Sequence, residues 1–305
     1  MSSFPTPHLE KLQATLSNDK LPASDKPRIQ RALERYHDWI AKIDAVQGQT
    51  HHALEAAVGL LNEYRLFLDL EVIFDSDNDF LHRQKGQLKL DNSVIEEFLP
   101  RVVALSLGDQ IREQALEVGP TTCFSAVYFA SGLAAEQQGA GIEIRTKNQD
   151  FAISKPLYLR ASHDSGFSNA AERETRVAYV VAECKTNLDK TMFQEACATA
   201  HDVKSAVVAS RYYLLCEWLD MTPVSTAPTE IDEVIILRKA KRISSNVRKD
   251  YASAAGRRER REDYERHLTL YPFSPEMLER FIRHIASLMT HEAVVEEDVL
   301  AKGYF

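Results

Sequence analysis

Several features that would disclose a function are missing from this chain of 305 residues. No apolar run approaches the roughly 20 residues that a membrane-spanning helix needs. The opening MSSFPTPHLEKL lacks the basic-then-apolar plan of a signal peptide, so a cytoplasmic protein is expected. Cysteine is scarce: Cys123, Cys184, Cys197 and Cys216 show no C-x-x-C pairing, which argues against a zinc ribbon or a disulfide framework. The histidines include the neighbours His51 and His52, yet no H-E-x-x-H spacing occurs, and these two read as helix-surface or capping residues. Asp75, Asp77 and Asp79 form D-x-D-x-D without the glycine and distal glutamate of a calcium loop, and the run reads as part of a polar surface loop.

What is present describes an ordinary globular protein, 44% hydrophobic and 27% charged, long enough for one large domain or two smaller ones. The net charge of -8 argues against a polyanionic partner, but the charge is unevenly spread. Between Arg238 and Arg261 there are ten basic residues against two acidic ones, a local balance of +8 that leaves -16 on the remainder. A protein can bind DNA through one basic face and stay acidic overall. Within this stretch Arg238, Lys239, Lys241, Arg242, Arg248, Lys249, Arg257 and Arg258 are candidate phosphate contacts, with Ser244, Ser245 and Asn246 as candidate base readers; a solvated, charge-laced helix is the competing reading.

Apolar spacing predicts helices over most of residues 7–116. One runs from Asp25 to Ile43 on Ile29, Leu33, Tyr36, Ile40 and Ile43; another covers His52 to Leu70; a third starts near Asn92. From Gly119 the pattern changes. A helix is expected from Thr121 or Thr122 to about Gln138, stopped by Gly139 and Gly141. Strands follow at Ile142–Thr146, Asp150–Leu159 and Val177–Lys185, then a helix from Thr191 to about Ser205, then strands at Tyr212–Cys216 and Glu233–Leu237. A last helix opens at Ser274-Pro275-Glu276. The expected fold is therefore α/β, a mixed central sheet with flanking helices, preceded by a helical N-terminal region, with domains at 1–118 and 119–305.

The chain is organised around VAYVVAECKTNLDKTMFQEA, Val177 to Ala196. Its apolar opening suits a strand buried on both faces, and Glu183-Cys184-Lys185 then breaks that pattern. Strand alternation sets Glu183 and Lys185 on one face and Cys184 on the other. A carboxylate and an ammonium at a core edge are costly unless something uses them. Metal-dependent phosphodiester hydrolysis uses both.

Asp150, heading the preceding strand, supplies a second carboxylate. Asp150, Glu183 and the Cys184 backbone carbonyl, completed by water or phosphate oxygens, make a magnesium shell, with Lys185 orienting the attacking water or offsetting phosphorane charge. Asp164, in ASHDSGFSN, is the rival upstream acid. Glu136 is a candidate outer-shell ligand whose preferred reading is an exposed residue, Lys190 reads equally as a phosphate contact or a solvated loop lysine, and Gln194 is a candidate contact to a water or phosphate near the metal.

This constellation resembles the PD-(D/E)XK nuclease superfamily. ECKTNLDKTMFQEA, with the LLCEWLDM strand, is similar to type II restriction endonucleases whose asymmetric sites are cut by two non-identical subunits. The resemblance covers roughly Pro120 to Arg242 and departs from the superfamily's name in having Gln149, not proline, before Asp150. It implies a restriction-endonuclease-like core, sequence-specific cleavage of double-stranded DNA, Mg2+, and one catalytic site per subunit of a heterodimer or homodimer. A repair or mobile-element nuclease and a non-catalytic DNA-binding subunit are the alternatives.

Overall fold

A computed structural model describes residues 4–290, together with 300, 301 and 303. The first third is helical: α1 (Pro7–Leu16), α2 (Lys26–Asp44), α3 (His51–Phe67), α4 (Phe80–Gln84) and α5 (Asn92–Glu113). The expected stripe on α2 is observed, with Ile29, Tyr36 and Ile43 buried beside Ala32 and Trp39. Thr50 caps α3 by accepting the Ala53 N–H, and the helix runs on into a π-helical segment, Leu68–Phe74.

The sheet has five strands in sequence order: β1 (Glu117–Phe129), β2 (Ile142–Ala161), β3 (Ala171–Leu188), β4 (Arg211–Leu219) and β5 (Glu233–Lys241). The first three pair antiparallel; β3–β4 and β4–β5 pair parallel. The parallel step from β3 to β4 is bridged by α6 (Lys190–Ala206), whose cap Asp189 accepts the Met192 N–H at 2.9 Å. The C-terminal part adds α7 (Ser245–Arg248), α8 (Ala254–Glu259), α9 (Arg261–Leu270) and α10 (Pro275–Met289). A mixed sheet with flanking helices behind a helical N-terminal region is the expected architecture.

One expected element is of the wrong kind. Residues 121–129, expected to open a helix, lie in β1, and those to 138 form its connection to β2. TTCFSAVYF is rich in β-branched and aromatic residues, and Cys123 and Ser125 turn inward against β2. Gly139 and Gly141, expected to stop a helix, shape that connection. Gly139 has φ +58°, a Cβ there would lie 2.4 Å from the Ala171 Cβ, and its N–H donates to the Asn169 carbonyl at 3.0 Å.

The sheet is covered on both faces. Phe151, Ile153, Val180, Ala182, Cys184, Tyr213 and Leu215 join one continuous core with the N-terminal helices and α10. Val181, Tyr212, Leu214 and Cys216 pack on the other face against Phe193, Ala196, Ala200 and Val203 of α6. The alternation of Val180, Val181 and Ala182 between these two cores fixes which way Glu183 and Lys185 point: to the α6 side, opposite Cys184.

Candidate active site

Register brings the acids together. Phe151 pairs with Ala182, so one residue further along the antiparallel ladder Asp150 faces Glu183. A bulge aims Asp150. Gly119 pairs with Ala152 but Thr121 with Gln149, so Asp150 and Phe151 oppose Pro120 alone. Proline has no N–H to give the ladder and is suited to such a break. Asp150 Oδ2 accepts the Cys184 backbone N–H at 2.9 Å. Its Oδ1 lies 3.7 Å from Lys89 Nζ. On β3, Glu183 Oε1 meets Lys185 Nζ at 2.5 Å, while Oε2 accepts the hydroxyl of buried Tyr212 at 2.7 Å.

These groups line a cleft of about 620 Å3. One wall is formed by Asp150 of β2 and Glu183, Cys184 and Lys185 of β3; Arg83 comes from α4 and Lys85 and Lys89 from the turn before α5; Arg242 and Arg248 also line it. The cleft is acidic around Asp150 and Glu183. Burial pushes the Cys184 thiol pKa well up, and the negative charges of Asp150, Glu96 and Glu183 push it the same way. Burial likewise raises the Glu96 carboxyl pKa, with repulsion from Asp150 adding to it. Burial and the adjacent Glu183 carboxylate raise the Tyr212 phenol, which stays a donor.

The donor set fits a hard cation. Asp150 and Glu183 offer carboxylate oxygens from facing positions, leaving further coordination to a carbonyl and water. Among the described residues no group of three or more His, Cys, Asp or Glu side chains is arranged around one point as a ligand cage. Such a sparse set suits a divalent ion that keeps several of its waters.

Other sequence candidates lie elsewhere. Asp164 sits in the β2–β3 turn, where it accepts the Gly166 N–H and the Ser168 N–H and hydroxyl, well away from Glu183 along β3. Glu136, Lys190 and Gln194 are exposed and do not line the cleft. Glu136 is displaced because its expected helix is a strand and loop. On α6 it is Met192, not Gln194, that reaches the cleft.

The basic stretch divides into two populations. Arg242 and Arg248 line the cleft and share Asp220 Oδ2, at 2.8 and 3.5 Å. Lys239, Lys241, Lys249 and Arg258 are exposed, as are Ser244, Ser245 and Asn246. Arg238 and Arg257, expected on a DNA face, are instead 4% and 1% exposed. Arg257 donates to the Phe74, Ser76, Asn78 and Tyr251 carbonyls and to Asp79, so it pins the aspartate-rich loop and its charge is used inside the fold. Arg238 lies beside Glu217 and stacks 3.9 Å over the Phe273 ring.

Lys89, Glu96 and Tyr212 carry no recognisable signal in the sequence. The first two lie more than fifty residues before Asp150, and Tyr212 reads as one more aromatic in an apolar strand.

Residues 87–305 match the family described as Bpu10I restriction endonuclease. The chain belongs to the Bpu10I restriction endonuclease family. It is accordingly a type II site-specific deoxyribonuclease that acts on DNA, and Asp150, Glu183 and Lys185 lie within the matched residues. A solved structure described as the native BbvCI A2B2 tetramer at low resolution shares the fold, with a TM-score of 0.59 and 18% identity over 96% of this chain and 100% of that chain. A search of curated protein sequences gives no match. No helix among the described residues is long and apolar enough to cross a membrane.

Proposed function

We propose that this restriction endonuclease hydrolyses one phosphodiester strand per catalytic site in double-stranded DNA, with Mg2+ held by Asp150, Glu183 and the Cys184 carbonyl. The observation that carries this reading is the facing of Asp150 and Glu183 in one cleft with Lys185 beside them. A bound divalent ion supplies Lewis-acid polarisation of a phosphoryl oxygen and a more acidic water. The chain's own residues do the rest. Glu183 receives its orientation from Tyr212, Asp150 from the Cys184 N–H. Lys185 leaves Glu183 for the attacking water or a non-bridging oxygen, where a compact ammonium offsets developing charge without a planar fit. Arg242 and Arg248, with exposed Lys241 and Lys249, grip the phosphates on one side of the cleft.

The chain works with a second endonuclease subunit. The structure whose fold it shares is described as an A2B2 tetramer, and two different subunits suit an asymmetric DNA site. The test is purified protein incubated with plasmid DNA and Mg2+, alone and with the product of a neighbouring endonuclease reading frame. Discrete fragments with both proteins, and at most a nicked circle with this chain alone, are expected. Random degradation, or a retarded but uncut band under every condition, overturns the reading.

A further inference from the structure

Lys89 comes from the helical N-terminal region, yet its amine reaches the catalytic carboxylates. Its backbone has φ +51°, a left-handed conformation that costs a lysine roughly 1–2 kcal/mol. The turn is fixed on both sides: the Lys89 N–H donates to the Gly86 carbonyl at 3.2 Å, and its own carbonyl accepts the Ser93 hydroxyl at 2.6 Å in the first turn of α5. The side chain so aimed sets Nζ 3.2 Å from Glu96 Oε1 and 3.7 Å from Asp150 Oδ1. Asp150's other oxygen is taken by the Cys184 N–H, so the ammonium faces the oxygen left free for a cation. Glu96, 5% exposed, is itself held by the Asn92 amide at 2.8 Å and serves as the amine's anchor.

We propose that Lys89 is a positioning residue that competes with the divalent ion for Asp150 and yields when a DNA phosphate draws its amine away. The proposal rests on Asp150 being a metal ligand. Metal loading is then coupled to DNA: without DNA the ammonium repels the incoming ion, and a phosphate at the mouth of the cleft gives the amine another partner. By linkage, whatever DNA contributes to metal binding through Lys89, metal contributes equally to DNA binding.

The test is Mn2+ binding without DNA, followed by the electron paramagnetic resonance of the free ion, for the wild type, Lys89→Met, Lys89→Gly and Asp150→Asn. Lys89→Gly removes the amine and relieves the left-handed backbone, so a folding defect in Lys89→Met does not hide the answer. Both Lys89 variants are expected to bind Mn2+ at least about fivefold tighter, the factor for removing a unit charge about 4 Å away even in the dielectric of water. Asp150→Asn is expected to lose the ion. Wild-type affinity in both Lys89 variants, with Asp150→Asn still defective, overturns the competition alone. Mn2+ binding unchanged by Asp150→Asn overturns the metal site and the competition with it.

Discussion

Asp150 Oδ2 accepts the backbone N–H of Cys184 at 2.9 Å, which ties the carboxylate of one strand to the backbone between Glu183 and Lys185 of the next. The link holds Asp150 beside Glu183 whatever the side chains bind. It also separates structure from chemistry, because an asparagine oxygen can accept the same N–H. Asp150→Asn is expected to keep the thermal midpoint within a few degrees while cutting DNA cleavage at least about a hundredfold. A plasmid cleavage series and a melting curve on the same preparation decide it; near-normal cleavage would remove Asp150 from the site.

Lys185 is expected to be needed for chemistry and dispensable for binding. Its amine pairs with Glu183 at the cleft wall, and the side chain is partly exposed, so truncation leaves little buried behind it. Lys185→Ala should lose cleavage while holding duplex DNA with little change in affinity by gel shift. Cleavage at the wild-type rate would exclude Lys185 from the mechanism.

How far the sequence was legible follows from the range of the interactions involved. The Glu183–Lys185 strand could be read because alternation is local, and an acid and a base ending an apolar run conflict with burial. Asp150 is a candidate from the sequence as an acid beside the apolar run FAI, although the strand that carries it begins eight residues earlier, at Ile142. Residues 121–129 differ from expectation because TTCFSAVYF carries helical spacing alongside a strand composition, and pairing with β2 decides between them. Arg238 and Arg257 depart from expectation because a count of charges is blind to Glu217 and to the carbonyls at Phe74, Ser76 and Asn78 that absorb them. Lys89 and Glu96 were invisible for the same reason: only folding α5 against the sheet brings them to Asp150.

Tyr212 isolates the role of Glu183's orientation. Its hydroxyl donates to Glu183 from a fully buried ring, a charge-assisted hydrogen bond whose removal costs about 1.5–3 kcal/mol. Tyr212→Phe keeps the ring packed and frees Glu183 to turn. The expected result is a higher Mg2+ requirement for cleavage, with the maximal rate largely recovered at saturating ion. A uniform loss of activity at all Mg2+ concentrations would assign Tyr212 a different role.

Arg238 and Arg242 are four residues apart in one basic stretch and should fail in opposite ways. Arg238 closes a buried network in which Arg65 meets Glu217 at 2.6 Å, and breaking such a network strands a buried charge at a cost of about 3–5 kcal/mol. Arg238→Ala should therefore lower the urea midpoint strongly. Arg242→Ala should leave stability nearly unchanged, weaken DNA binding, and reduce the slope of log K against log salt by about 0.9. Exchanged phenotypes would refute the division between buried and phosphate-facing arginines.

His8 gives the fold a measurable pH dependence. It is fully buried, with Nδ1 2.9 Å from Ser93 Oγ and Nε2 2.7 Å from the Tyr64 hydroxyl, and both partners suit a neutral ring. Burial, reinforced by the positive charge of Arg65, lowers its pKa from 6.5 to about 3. The unfolded chain therefore binds more protons than the folded one between these values, and stability falls as pH drops below 6.5. The slope from this residue approaches about 1.4 kcal/mol per pH unit. Glu97, whose carboxyl is raised by burial, works in the opposite direction, so the comparison has to be made between the wild type and a single variant. Urea unfolding of wild type and His8→Gln at pH 7.5 and 5.5 is the measurement, and the difference in stability between them should shrink at the lower pH, because only the wild type carries the penalty of keeping this ring neutral. A difference that stays constant across that interval would mean that His8 is protonated in the folded protein.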